Sequence, residues 1–357
     1  MRPPDPRTAP ETEVRRVLVY RIGSLGDTVV ALPAFHRVAR RFPNATRSLL
    51  TKKTLNAKAP PVASLLEHSG LVHGEIVYAD RPGVGGIFDL IRAIRSFSPD
   101  VLVYLPPTRS RWQVLRDRAL FFLGGARRVE GVGWAHDQRL PRAQGHRSEY
   151  EGDRLLRVLE GLAMDPEDDN SGLHLTSDEQ RSADLLLSSW PGRERFAVFS
   201  PGAKTDVQHW GTDRWSALFK KIRVPMDDWG LLGMGTADEW QEVQPLLDLW
   251  KGPTLNLCGK TPPRVSAAIL SRGKLFLGHD SGPLHLANAA GLPCVAVFSG
   301  RDRVGEWHPP GPRHRLHYRE VPCQGCRRDE CPDLEKFCIR DISVEDVAES
   351  VLEIAGA

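Results

Sequence analysis

The chain has 357 residues, of which 41% are hydrophobic and 26% charged, and a net charge of +3. This length is too great for one ordinary hydrophobic core and predicts two domains, and the composition excludes a disordered protein. No apolar run approaches the roughly 20 residues that span a bilayer, and residues 1–13 lack the apolar core of a signal peptide, so we expect a disordered tail on a cytoplasmic protein.

Strands and helices alternate in the first half of the chain. A strand rich in β-branched residues, 14–22, ends at the loop Gly23-Ser24-Leu25-Gly26-Asp27, and a helix is predicted over 28–42. The loop lacks the glycine order that binds dinucleotides. The alternation continues with strands at 47–51, 75–78, 101–105 and 128–132 and helices at 62–68, 87–97, 112–123 and 149–162. It predicts a doubly wound parallel sheet in an N-terminal domain of residues 14–164.

Asp27 stands where the first loop meets its helix. Aspartate is a preferred residue for capping a helix N-terminus, and capping alone would account for it. The alternative is a general base, because parallel strands place ligands beyond their carboxyl ends.

The segment from Ile91 to Arg128 is strongly basic. A solvated helix face explains such a run. The alternative is a surface for a polyanionic acceptor, because arginine makes bidentate contacts with phosphate and carboxylate. Nucleic acid is not expected, since no binding motif accompanies the arginines. Against Asp100 and Asp117, the segment holds Arg92, Arg95, Arg109, Arg111, Arg116, Arg118, Arg127 and Arg128.

A polar stretch, residues 165–176, separates the two halves. Its proline, glycine and acidic residues favour a linker over an acidic metal site. A second α/β domain, residues 177–342, follows, with a C-terminal helix at 343–357. Two such domains leave a cleft that usually holds the substrate. The second domain has predicted strands at 196–199, 229–232, 254–257, 275–277 and 295–298 and helices at 177–189, 212–222, 238–250 and 263–270.

The stretch from Lys274 to Ser299 carries the most specific pattern. It predicts a strand, the turn His279-Asp280-Ser281-Gly282-Pro283, a short helix to Ala290 and a second strand. Proline suits the first helical turn, and Gly291 ends the helix. The turn therefore places Asp280, Ser281 and Gly282 at a helix N-terminus, which binds phosphate oxygens well.

Four of the six cysteines form a C-x2-C motif followed by two more thiols: Cys323, Cys326, Cys331 and Cys338. Four thiolates suit a structural Zn²⁺ or iron ion. Reduced thiols in a loop are the alternative, as are disulfides, which a reducing compartment disfavours. The other two cysteines, Cys258 and Cys294, lie in apolar strands and are predicted to be in the core.

Three motifs together resemble glycosyltransferase family nine, the heptosyltransferases of lipopolysaccharide core synthesis. They are GDTVVALP at 26–33, SPGAKTDVQHW at 200–210 and HDSGPLHLANAAGLP at 279–293, and the resemblance runs over nearly the whole chain, 14–351. It implies the GT-B fold, in which two Rossmann-like domains face a cleft and bind the acceptor and the nucleotide sugar, respectively. It also implies ADP-L-glycero-D-manno-heptose as the usual donor and inversion at the anomeric carbon.

The resemblance implies roles for individual residues. Asp27 matches the catalytic base, and Asp280, Ser281, Gly282 and His285 match the donor-binding block. Ser281 and Gly282 would offer backbone N–H groups to the diphosphate. Asp280 would accept hydrogen bonds from donor hydroxyls or orient the loop. For His285, packing of a helix residue against the sheet is the alternative.

The loop of the second domain departs from the family pattern. Members often have a lysine two residues before the tryptophan, where this chain has Gln208 before His209 and Trp210. We prefer Lys204 over His209 as the substitute, because its flexible stem can bring a positive charge to the diphosphate. With Lys204 and a helix N-terminus serving the diphosphate, we expect catalysis to require no metal cofactor.

We therefore interpret the sequence as an inverting glycosyltransferase that moves heptose from ADP-heptose to a hydroxyl of the lipopolysaccharide inner core. Arg109 and Arg111 are the candidate contacts to an anionic glycolipid acceptor, whose lipid would bring a peripheral contact with the inner face of the inner membrane. The alternatives are another nucleotide sugar, a protein or small-molecule acceptor, a sugar-nucleotide epimerase of similar fold, and a non-catalytic nucleotide-sugar-binding protein.

Overall fold

The structure is a computed structural model that describes residues 14–53, 61–132, 147–160, 172–332 and 335–357. The predicted tail, 1–13, and residues 165–171 of the predicted linker lie outside the described residues. The chain divides into two compact units. The first comprises Met1–Leu140 with Glu151–Gly172, and the second comprises Pro141–Tyr150 with Leu173–Ala357.

The described part of the first unit contains a five-stranded parallel sheet in the order β3-β2-β1-β4-β5. Because the order reverses between β1 and β4, the loops after these two strands diverge at the topological switch point, where α/β sheets bind ligands. The strands are β1 (Arg16–Tyr20), β2 (Thr46–Lys52), β3 (Gly74–Tyr78), β4 (Val101–Tyr104) and β5 (Val129–Glu130). The helices are α1 (Leu25–Val30), α2 (Leu32–Arg41), α3 (Ala63–Leu66), α4 (Val84–Phe97), α5 (Arg111–Leu123) and α6 (Glu151–Val158).

The predicted helix over 28–42 is wrong in its start and its continuity. The structure begins α1 at Leu25 and divides the segment at Ala31, where α2 takes over. Pro33 lacks the N–H that would bond to the carbonyl of Val29, so one unbroken ladder is not available.

The second unit contains a six-stranded parallel sheet in the order β11-β10-β9-β6-β7-β8, again counting described residues. Its switch point lies between β6 and β9. The strands are β6 (Phe196–Ser200), β7 (Gly230–Gly233), β8 (Thr254–Asn256), β9 (Leu275–His279), β10 (Cys294–Val297) and β11 (Arg315–His317). The helices are α7 (Ser177–Leu187), α8 (Thr212–Ile222), α9 (Trp240–Leu247), α10 (Pro263–Leu270), α11 (Gly282–Ala289), α12 (Phe337–Arg340) and α13 (Val344–Ala355).

The two doubly wound units confirm the predicted fold class. The core of the second unit includes Cys258, as predicted, and Val351 of α13. Cys294 is also buried, and burial raises the pKa of both thiols. Two short elements, β11 and α12, were not predicted, because three or four residues carry too little periodicity. No helix in the described parts of the chain combines the length and apolar character needed to cross a bilayer.

A buried ionic network closes the carboxyl end of the first sheet. Arg21, directly after β1, is fully buried and donates hydrogen bonds to the carbonyls of Leu105, at 2.8 Å, and Asp27, at 2.6 Å. The same guanidinium donates to Glu151 at 3.1 Å, and Arg154 donates to the other carboxylate oxygen at 2.8 Å. One side chain therefore connects the loops after β1 and β4 at the switch point.

Substituting Glu151→Gln tests how much the fold depends on this network. The change leaves the buried guanidinium groups of Arg21 and Arg154 without their anion, so we expect the free energy of unfolding to fall by about 3–5 kcal/mol in urea denaturation. The matched control is Asp80→Asn, the same chemical change in the more exposed Lys52–Asp80 pair, where we expect about 1 kcal/mol or less. Equal effects of the two substitutions would contradict the prediction.

Candidate active site

Asp27 lies in the first turn of α1, and the N-cap position belongs to Ser24 instead. Asp27 Oδ2 accepts hydrogen bonds from the backbone N–H of Ser24 at 2.5 Å and from its hydroxyl at 2.6 Å, which forms a capping box. Gly23 has a φ of +149°, and a Cβ there would lie 2.6 Å from the Cβ of Asp27. Glycine therefore permits the close approach that holds the half-buried carboxylate at the switch point.

Three tyrosines end strands β1, β3 and β4 beside this loop. The ring of Tyr20 stacks with those of Tyr78 and Tyr104, with centroids 6.5 and 5.5 Å apart. Arg109 donates to the Tyr20 hydroxyl at 3.2 Å, and its Nε lies 3.9 Å from Asp117. Burial raises the pKa of all three phenols, so they remain neutral hydrogen-bonding groups.

The two arginines predicted to bind the acceptor have different environments. The side chain of Arg109 is only 9% exposed and is engaged with Tyr20 and Asp117. Arg111 begins α5 directly after its N-cap, Ser110, and is exposed. An acceptor contact stays a prediction for both residues, and Arg111 is the one that solvent can reach.

At the switch point of the second unit, His279 links the loop after β6 to the turn after β9. The backbone N–H of Trp210 donates to its Nε2 at 3.0 Å, and its Nδ1 donates to the carbonyl of Pro201 at 2.6 Å. Because Nε2 must accept, the proton is assigned to Nδ1. Complete burial, helped by the nearby charge of His209, lowers the pKa of His279 to about 3. The residue is a neutral clamp that we did not single out from the sequence, although a polar residue ending an apolar strand was a visible sign.

Gln208 makes a second link between the same loops. Its amide donates to the carbonyl of Asp280 at 3.3 Å and accepts from the Thr205 hydroxyl at 3.0 Å. Lys204 lies in this loop and is exposed, and it forms no hydrogen bond or ion pair with any described residue. His209 lies 3.7 Å from Glu242.

The turn after β9 has the predicted geometry. Ser281 is the N-cap of α11, which starts at Gly282 with Pro283 in its first turn. Its first N–H groups have no intrahelical acceptor and lie at the positive end of the helix dipole. The carboxylate of Asp280 lies 3.4 Å from Nε2 of His285. His285 is buried, and its Nδ1 has no hydrogen-bond partner among the described residues.

A charged network that we did not predict surrounds the loop after β10. Asp302 accepts from Arg301 at 3.3 Å and from Arg327, which also pairs with the buried Glu306. Burial, and then repulsion from Asp280, raises the pKa of Asp302. Arg327 therefore ties the cysteine-rich segment to a loop beside the turn that follows β9.

Glu239 is a second residue that the sequence did not reveal. A Cβ on either Gly202, after β6, or Gly235, after β7, would overlap an oxygen of its carboxylate. The carboxylate also accepts from the N–H of Thr236 at 2.8 Å, and burial raises its pKa. Two glycines thus make room for a carboxylate at the same edge of the sheet.

All four cysteines of the C-terminal motif line one pocket of about 360 Å³. Cys323 and Cys326 are exposed, Cys331 is half-buried, and Cys338 is buried with its pKa raised by that burial. Among the described residues, which leave out 333–334, no group of three or more histidine, cysteine or acidic side chains is arranged to hold a metal ion.

Comparison with known proteins identifies relatives for this arrangement. A family model described as glycosyltransferase family 9 (heptosyltransferase) matches residues 134–336. Lipooligosaccharide heptosyltransferase 2 of Campylobacter jejuni is 22% identical over 351 residues, which cover 95% of this chain and 99% of the relative.

Three solved structures are similar at under 25% identity and so bear on the fold alone. A family 9 glycosyltransferase from Veillonella parvula has a TM-score of 0.72 and 16% identity, with 95% of this chain and 97% of that one covered. The Escherichia coli heptosyltransferase WaaC with ADP-2-deoxy-2-fluoro heptose has a TM-score of 0.60 and 15% identity, with 95% and 99% covered. The iron-containing E. coli heptosyltransferase TibC, solved with ADP-D-beta-D-heptose, has a TM-score of 0.56 and 13% identity, with 97% and 78% covered. The predicted GT-B fold is confirmed.

The neutral state of His279 makes stability sensitive to acid. The pKa of His279 is lowered from 6.5 to about 3. Between these two pH values the folded protein therefore binds fewer protons than the unfolded chain, and the free energy of unfolding falls as the pH falls. We expect His279→Gln to be less stable at pH 7 but to lose about 2 kcal/mol less than the wild type between pH 7 and pH 5. Urea unfolding at both pH values measures this. The exposed control, His68→Asn, should keep the wild-type difference, and an unchanged difference in His279→Gln would contradict the prediction.

Proposed function

The chain belongs to glycosyltransferase family 9, and we propose that it transfers heptose from ADP-heptose to a hydroxyl of the lipopolysaccharide inner core with inversion at the anomeric carbon. Its class, a glycosyltransferase, follows from the family. The observation that carries the finer proposal is the second switch point, where His279 fixes the loop of Lys204 against the turn Asp280-Ser281-Gly282. This arrangement suits a diphosphate next to a sugar with many hydroxyls.

In the proposed donor complex, backbone N–H groups of Ser281 and Gly282 bind the diphosphate at the N-terminus of α11. Lys204 supplies a positive charge, because its side chain makes no internal ion pair within the described residues. Asp280 and Glu239 accept hydrogen bonds from donor hydroxyls. The solved structures of WaaC with a fluorinated ADP-heptose and of TibC with ADP-D-beta-D-heptose support ADP-heptose as the donor class.

Asp27 is the proposed general base. Its Oδ2 is held by Ser24, whereas Oδ1 makes no hydrogen bond to a described residue and is left for the acceptor hydroxyl. As the acceptor oxygen attacks the anomeric carbon, its proton passes to Oδ1. The bond between this carbon and the diphosphate oxygen breaks with its electron pair on ADP. One displacement inverts the anomeric centre, so no covalent sugar intermediate is needed.

The proposal for acceptor binding concerns two arginines. The exposed Arg111 is the better candidate contact to an anionic glycolipid, with Arg109 positioning the loop that precedes it. We propose that the protein acts in the cytoplasm, where nucleotide sugars are used. We also propose that transfer itself uses no metal ion, because Lys204 and the α11 N-terminus stabilise the charge that develops on ADP.

We further propose that Cys323, Cys326, Cys331 and Cys338 hold a structural Zn²⁺ or iron ion. No three of these thiols are arranged as metal ligands within the described residues, so the proposal rests on their lining one pocket and on four thiols being a suitable donor set. Purified protein should contain about one such ion per chain in elemental analysis, and Cys326→Ser should lower both the metal content and the melting temperature. The core variant Cys258→Ser should keep the metal, and full metal content in Cys326→Ser would contradict the proposal.

Asp27→Asn tests the proposed reaction. Loss of the base should lower transfer from ADP-heptose by roughly 100- to 10,000-fold, while the affinity for ADP-heptose in calorimetric titration stays unchanged. Ser24→Ala is the matched control, because it removes the hydroxyl that caps the helix and keeps the carboxylate of Asp27. Its loss of transfer should be much smaller than that of Asp27→Asn. Wild-type turnover in Asp27→Asn would contradict the role of base.

The same titrations test the donor. ADP should bind more tightly than UDP or GDP, and Lys204→Met should weaken ADP about tenfold through the lost diphosphate contact. Lys220→Met, an exposed lysine of α8, should leave ADP binding unchanged. Preference for UDP or GDP would overturn the donor while leaving the family intact.

A further inference from the structure

Helix α5 has apolar residues on both of its faces. Val114 and Phe121 are buried, and the ring of Phe121 packs against Tyr20 and Tyr104 of the sheet. On the opposite side, Trp112 is 81% exposed, Leu115 47% and Phe122 73%. The spacing of these three residues places them along one outward stripe of the helix. These three side chains are not packed into the core that the structure describes, so their exposure requires another explanation.

Helix α4 extends the outward apolar face. Val84 and Phe88, one turn apart near its N-terminus, are 74% and 68% exposed. The two helices are close neighbours, since Arg95 of α4 donates to the carbonyl of Leu123 of α5 at 2.8 Å. Both helices connect parallel strands and therefore run in the same direction. We call the exposed residues Val84, Phe88, Trp112, Leu115, Phe122 and Leu123 the α4–α5 surface.

Positive charge surrounds the α4–α5 surface. Residues 81–128, all of which the structure describes, include a single exposed acidic side chain, Asp89. Asp100 accepts from the backbone of Arg15 and Arg16, and Asp117 accepts from Tyr104 and pairs with Arg116, whose charge it offsets. The exposed basic side chains of the same stretch are Arg81, Arg92, Arg95, Arg111, Arg116, Arg118 and Arg127.

We propose that the α4–α5 surface binds the surface of an anionic lipid bilayer. Its aromatic and aliphatic side chains would enter the boundary between headgroups and acyl chains, and the arginines would contact lipid phosphates. A second copy of the chain is a poorer occupant, because a two-fold contact through this surface would bring the arginines of both copies together. The inference goes beyond the transfer reaction and depends only on this surface.

Vesicle sedimentation with the full chain tests the proposal. We expect binding to vesicles of phosphatidylcholine with phosphatidylglycerol, weakened by salt, and little binding to phosphatidylcholine alone. The double variant Trp112→Ser/Phe122→Ser should weaken binding at least about tenfold, because it removes the largest apolar groups. Arg92→Gln/Arg118→Gln should also weaken it and reduce the salt dependence. The matched control is Leu185→Ser, which removes a leucine that is 74% exposed on α7 of the second unit. It should bind vesicles as the wild type does.

Several results would overturn the proposal: equal binding to both kinds of vesicle, no binding by the wild type, or wild-type binding by the aromatic double variant. A change of oligomeric state in that variant during analytical ultracentrifugation would assign the surface to a second copy instead. Equal melting temperatures exclude misfolding. Transfer to a water-soluble, deacylated acceptor should be unchanged in the aromatic variant, so failure of membrane binding and failure of the proposed reaction give different results.

Discussion

The carboxyl end of a central parallel strand is the constraint on which both units depend. At this end the chain leaves the sheet, and neighbouring loops diverge with backbone groups that the strands no longer pair. In the first unit Arg21 binds the carbonyls of Leu105 and Asp27. In the second unit His279 binds the carbonyl of Pro201 and the N–H of Trp210. Each side chain satisfies these groups and fixes the loops that carry the candidate site residues of its own unit.

The two units meet this constraint with different chemistry. A guanidinium remains charged when buried, so Arg21 needs the carboxylate of Glu151 within the same core. An imidazole can give up its proton, so His279 is buried with no counter-ion among the described residues and uses one nitrogen as donor and the other as acceptor. The first solution carries a large desolvation cost that its partner offsets. The second makes the clamp depend on pH.

Features encoded by residues close together in the sequence could be predicted, whereas features that depend on distant segments could not. Strands and most helices were predictable, because the apolar period is local, and the N-terminus of α11 followed from Ser281, Gly282 and Pro283. Contacts between distant segments were not predictable. His279 is 69 residues from Trp210, and the place of Glu239 beside Gly202 depends on two loops meeting at one edge. The N-cap of α1 is Ser24, which the local sequence could have indicated, whereas capping was one of the two explanations considered for Asp27, three residues further on.

The basic segment shows why composition could not locate a binding surface. Arginines that look equivalent in the sequence have three different environments. Arg109 donates to Tyr20, Arg128 pairs with Glu130, and Arg118 is exposed. Counting charges therefore overestimates the number of arginines that an anionic ligand could reach, and it overlooks the apolar stripe of α5. A protein bound to a bilayer meets a lipid-linked acceptor where both are confined, which raises the effective concentration of that acceptor without any contact to its sugar. Under the proposed membrane contact, a few side chains such as Arg111 would suffice to orient the proposed acceptor, and the affinity of the catalytic site for it could be low.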